Sequence, residues 1–197
     1  MKSHQRAPLV YFFSILATLF VLNYLDESPS LLAEGDKFYT AGRVSFKVRS
    51  IWEEMPVASQ MRQFQFRVPR AENDSEDGEL AVFYFGPDQG GTVEANIERW
   101  AGQFQAPSSK NGEPSKEVKP KVTEKKVNGL DVTVVGIEGT FSGGMGPNVQ
   151  MSKPDFAFLC AIVKGPRGPV FFKLVGPRRT LQEAQPHFEA LIESLKS

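Results

Sequence analysis

The chain has 197 residues, 41% of them hydrophobic and sixteen of them Phe, enough for one core-bearing domain of ordinary size. Basic and acidic side chains number 23 each, so the net charge is zero and nothing in it asks for nucleic acid as a partner. The single cysteine, Cys160, excludes an internal disulfide and any cysteine-rich metal site.

The N-terminal segment opens with Lys2, His4 and Arg6, and residues 7–25 then carry no charge before Asp26 and Glu27. At about 1.5 Å per residue, that run just spans a hydrocarbon core of roughly 30 Å. The basic flank is expected on the cytoplasmic side, which places residue 26 onward across the membrane. An uncleaved signal-anchor is one reading. A cleavable signal peptide with its apolar heart at residues 10–22 is the other, although no Ala-x-Ala follows it. Residues 26–41 read as a stalk, and residues 42–197 as one globular domain.

"RVSFKVR" alternates Val44, Phe46 and Val48 against polar neighbours, the period of a half-buried strand. "RQFQFRV" repeats the pattern with Phe64, Phe66 and Val68. The runs "LAVFYF" (80–85), "FAFLCAIV" (156–163) and "VFFKLV" (170–175) are apolar on both faces and predict interior strands. "LDVTVVGIEGTF" (130–141) alternates and then shifts phase near Val135 and Gly136, which predicts a bulge there. A hairpin is expected around residues 165–168. The Lys-, Pro- and Ser-rich residues 105–126 read as a solvated linker.

Two segments have helical spacing. Val93, Ile97, Trp100, Ala101 and Phe104 form one stripe after a Thr92 cap. Thr180 and Glu183 are spaced as a capping box, and Leu181, Ala184, Phe188, Leu191, Ile192 and Leu195 line one face. Pro186 falls inside that second helix and is expected to kink or restart it. The pattern predicts an α+β domain: a mostly antiparallel sheet of about six strands, flanked by helices on both faces.

Chemistry-bearing combinations are scarce, and no catalytic residue, cofactor site or metal site is assigned. The turn at residues 86–91 matches no phosphate-loop spacing. Pro87 removes a donor there and Asp88 repels an anion, so the glycines read as a tight reversal. Asn96 and Arg99 lie off the apolar stripe and form a candidate polar patch. His187 is the one histidine outside the export segment, without a nucleophile elbow to accompany it. Residues 71–79 hold five acids, but an EF-hand template laid on Asn73 puts Tyr84 where a bidentate Glu is required. Cys160, inside "FAFLCAIV", reads as a small buried hydrophobe.

Residues 156–182 contain no acid but carry Lys164, Arg167, Lys173, Arg178 and Arg179. Arg178 and Arg179 precede a predicted helix start, where two cations are unfavourable unless an anion neutralises them. Lys164, Arg167, Arg178 and Arg179 are therefore candidate contacts for an anion or an acidic partner, with pairing to the domain's own acids as the competing reading. Residues 142–155, rich in Gly and Met, could be a binding loop.

The order of elements, with "SIWEEMP" after the first strand, "VEANIERWAGQF", and a closing Phe188-x-x-x-x-x-Ser194-Leu195, resembles the PsbP-like domain over about residues 38–197. That fold is an α/β/α sandwich shared with extrinsic photosystem II subunits and Ran-binding nuclear import factors. The resemblance implies an accessory binding protein rather than an enzyme, and carries over no binding or catalytic residue. The resulting expectation is a membrane-anchored, extracytoplasmic interaction module, held by residues 7–25 and serving an unknown protein partner. The alternative is a ligand binder or enzyme with a pocket between the sheet and residues 142–155.

Overall fold

The computed structural model describes residues 35–106, 118–142 and 152–197. The expected membrane segment (7–25), most of the expected stalk, and the middles of the linker and of the 142–155 loop lie outside the described residues. Among the described residues, no helix is long and apolar enough to cross a membrane.

β1 (Lys37–Ala41), read from the sequence as the end of a stalk, pairs antiparallel with β2 (Val44–Val48). The turn between them, Gly42-Arg43, has positive φ at both positions, the geometry that twists two strands into a tight hairpin. A side chain at Gly42 would meet the Tyr84 ring at 2.5 Å, so the hairpin and the sheet approach each other only through glycine. Val44, Phe46 and Val48 are buried as their alternation predicts. Yet the hairpin is a separate two-stranded sheet, not part of the main one.

The main sheet takes in β3 (Glu53–Glu54), β4 (Arg62–Val68), β5 (Gly78–Tyr84), β6 (Phe104–Gln105), β7 (Lys121–Val127), β8 (Leu130–Phe141), β9 (Lys153–Gly165) and β10 (Gly168–Pro177). Their order is β3-β4-β5-β10-β9-β8, after which β7 and β6 share the far edge of β8. Every pairing is antiparallel. The chain is thus α+β with a mostly antiparallel sheet and two helices, but of the six expected strands one belongs to the hairpin, and three additions bring the other five to eight in this sheet. Two additions, β3 and β6, are two residues long. The third, β7, lies in the stretch read as linker: its residues are almost all exposed, so no apolar period marks it.

The phase shift foreseen at Val135 and Gly136 is not a bulge. Pairing with β9 runs unbroken from Val132 to Gly139, and the register slips between Gly139 and Phe141. Leu130, Val132 and Val134 face one core while Val135 and Ile137 face another. What looked like a change of phase is a strand gaining cover on its second face.

Neighbouring residues of the central strands divide between these two cores. Phe172, Val163 and Ala161 join the first, with the hairpin residues; Phe171, Ile162 and Cys160 join the second. The helix α1 (Val93–Ala101) contributes Trp100 to the second core, with Val93 and Ile97 packed against it. Thr92 caps it as expected, its Oγ1 accepting from the Ala95 N–H at 3.2 Å, an arrangement that stabilises by about 1 kcal/mol.

The helix α2 (Arg178–Glu193) contributes Leu181, Ala184, Phe188, Leu191 and Ile192 to the first core, and runs through Pro186 without restarting. Its start differs from the expected capping box. Thr180 is buried inside the first turn, where its N–H and Oγ1 both donate to Asp74 Oδ2, at 2.9 and 2.6 Å. After α2, the last residues reach back to the first hairpin. Ser45 and Lys196 exchange backbone hydrogen bonds of 2.7 and 2.9 Å, and the Lys47 N–H donates to Ser194 Oγ.

Candidate functional site

Register builds the site. Residues directly opposite across antiparallel strands share a face, so Gln65, Ala81, Lys173, Cys160 and Val135 form one row from β4 to β8. The adjoining row is Arg67, Glu79, Val175, Phe158 and Ile137. Both rows run from polar at β4 to apolar at β8. α1 covers the apolar half, while the half over β4, β5 and β10 is open as a cleft of about 480 Å³. Its walls include Met55, Phe83, Phe141 and Phe156, and Gln103 reaches it from just beyond the C-terminal end of α1.

Lys173 lies at the floor of this cleft, on the most central part of the sheet. Burial pulls its ammonium pKa down; Arg62 and Arg99 push the same way as like charges, and Glu79 opposes them weakly. Its Nζ lies 4.5 Å from the centroid of the Phe158 ring. No carboxylate of the described residues comes within 4 Å of it, whereas the other cations of the lining are engaged. Arg62 binds Glu79 at 2.7 Å, Arg67 binds Glu53 and Asp77, and Lys153 binds Glu76. Beside Lys173, the Cys160 thiol is fully buried and desolvation raises its pKa to about 12, leaving it an inert neutral group.

The four candidate anion contacts do not form one site. Lys164 and Arg167 lie at the β9–β10 turn, and Arg178 and Arg179 follow the other end of β10, roughly 30 Å away along the strand. Arg178 donates to Asp155 at 2.7 Å and Arg179 to Glu183 at 3.4 Å. The α2 N-terminus, which they open rather than precede, is met by Asp74, so the negative charge that this end calls for comes from within the domain. The Arg167 carbonyl accepts from the Tyr84 hydroxyl at 2.9 Å.

The candidate polar patch is also corrected. Asn96 is 2% exposed, and its Nδ2 donates to the carbonyls of Gly90 and Thr92, both at 2.8 Å, while Oδ1 accepts from Arg99. It ties the 86–91 turn to α1. A side chain at Gly90, where φ is +94°, would meet the Phe171 ring at 2.7 Å, so this turn requires glycine for an aromatic contact.

His187 lies outside the cleft, its ring edge-on to Trp52. Its Nδ1 is buried near Arg49 and Asp36, which stand 3.9 Å apart. Burial, and then Arg49, pull the imidazole pKa below its usual value, with Asp36 opposing. In the pH window from about 6.5 down to the lowered value, the unfolded chain therefore holds more proton than the folded one. Stability should fall as pH drops through that window and level off beneath it. Melting curves between pH 5 and 7.5, compared with His187→Gln, check this: the variant should show a shallower slope, and equal slopes would refute it. Among the described residues, no group of His, Cys, Asp and Glu side chains is placed to hold a metal ion.

No protein-family model and no curated protein matches the chain. Solved structures do. The solution structure of cyanobacterial PsbP (CyanoP) from Synechocystis sp. PCC 6803 matches 87% of this chain and 98% of its own, with a TM-score of 0.51 and 10% identity. The fold is PsbP-like. A crystal structure of a Pseudomonas aeruginosa protein of unknown function covers 83% of this chain and 98% of its own, at TM-score 0.49 and 10% identity. The cleft-forming half of the PsbP-like sheet, around Lys173, escaped the sequence reading. The available signal was a lone lysine in a run apolar on both faces; the strand register then puts it in phase with Phe171 and Val175, on the α1 side.

Proposed function

We propose that this chain is a membrane-anchored, extracytoplasmic accessory module that binds a protein partner and performs no catalysis. Residues 7–25 hold it to the membrane, and the PsbP-like domain acts as an α/β/α sandwich with α1 and α2 on opposite faces of the sheet. The observation that supports partner binding is an apolar rim at the β3 edge, where Ile51, Met55, Val57 and Met61 are 37–62% exposed. Residues 51–61 include Glu53 and Glu54 and no basic side chain, so an anionic lipid surface suits them poorly and a protein suits them well.

Photo-crosslinking in native membranes tests this reading. A crosslinkable residue at Met61 should yield one discrete protein adduct that Ile51→Ser with Val57→Ser removes. The same probe at Val122, on the far edge, should not yield it. Lipid adducts alone, or equal adducts at both positions, would overturn the reading.

The cleft supports a second reading, in which the module also holds a small ligand. Its volume falls within the range of about 300–1,000 Å³ usual for such sites. Phe141, just before residues 142–155, and Lys153, within them, both line it, and the sequence places a pocket between the sheet and this loop.

A further inference from the structure

The cations lining the cleft are not all paired. Arg62, Arg67, Lys153 and Lys173 share it with Glu76, Asp77 and Glu79, and Arg67 also binds Glu53 beyond the lining. The pairing identifies which cation is left over. Arg62, Arg67 and Lys153 each hold a carboxylate, while among the described residues Lys173 has only the Phe158 ring. Packing alone does not call for a lysine on this floor, since Met or Leu would fill the same space without desolvating an ammonium.

We propose that the cleft binds a small organic monocarboxylate carried on an aromatic or similarly flat apolar body. Lys173 Nζ is its counter-ion, and Phe83, Phe141 and Phe156 are its walls. This deepens the ligand-binding reading above and rests on it. A single carboxylate pairs the one unpartnered ammonium, whereas the second charge of a dianion meets no free cation of the described lining and lies near the C-terminal end of α1, where the helix dipole is itself negative. Phosphate, which favours forked guanidinium contacts, meets only arginines already committed to acids. The aromatic walls suit a planar body that stacks against them or meets them edge-on.

The probes are 2-naphthoate and its neutral counterpart 2-naphthamide, titrated against the full chain in zwitterionic nanodiscs. The wild type should bind naphthoate about tenfold tighter than naphthamide, the scale of one charge-assisted contact. Lys173→Met should abolish that preference by weakening naphthoate far more than naphthamide, while Lys173→Arg should keep part of it. Bound naphthoate should also shield Lys173 of the unmodified protein from amine acylation, read by mass spectrometry, and naphthamide should shield it less. Equal binding of the two probes by the wild type, or a preference surviving in Lys173→Met, overturns the assignment of charge while leaving a ligand site standing. Absence of binding by both probes overturns the ligand site as well.

Discussion

Phe172→Ala should cost about 3–5 kcal/mol and lower the melting temperature by roughly 6–20 °C. Phe172 is fully buried on β10, opposite Val82 and Ala161, and its ring meets Phe46 of the hairpin edge-on at 4.9 Å. It therefore joins two sheets that share no backbone ladder. Truncation opens a cavity at that junction, and the strands around it, paired on both sides, cannot collapse to fill it. The loss should appear first in β1 and β2, as faster amide exchange there than in β9. A drop in melting temperature of less than about 3 °C would show that the hairpin is held mainly by other contacts.

Asp74→Ala is the second large expected effect, about 2 kcal/mol of destabilisation in chemical denaturation at pH 7. Its carboxylate accepts both the N–H and the hydroxyl of Thr180 in the first turn of α2, and Thr180 Oγ1 in turn accepts the Ala71 N–H at 3.0 Å. Thr180 is 1% exposed, so no solvent replaces a lost partner. Asp74→Asn keeps an acceptor but loses the charge facing the helix dipole and should fall between the two. Asp77→Ala, which breaks only surface contacts with Arg67 and Arg70, should cost less than about 1 kcal/mol. Equal losses for Asp74→Ala and Asp77→Ala would remove Asp74 as the cap of α2.

These two positions also show what a sequence can disclose. The strand holding Phe172 was legible because "VFFKLV" is apolar at every phase but one, and both helices announced themselves by their stripes. Asp74 was not legible as a cap, because its partner is 106 positions away and chain spacing finds only neighbours. The same limit hid Asp155, the partner of Arg178, and Asp74 at the start of α2, whereas Arg179 finds Glu183 only four positions along the same helix. β7 escaped for a different reason: an edge strand exposed to solvent needs no apolar period, so "KVTEKKV" looks like linker. Lys173 enters the sequence reading only as one of five positive charges, because its run is too apolar for alternation to indicate a face. Only the row from Gln65 to Val135 shows which way it points.

The exchange between Ser45 and Lys196 has a consequence for how the molecule is made. The β1–β2 hairpin acquires its outer partner from a residue 151 positions further along the chain. Such a closure contributes nothing until Lys196 has itself been made, so β1 and β2 lack this contact while the residues between are still being synthesised.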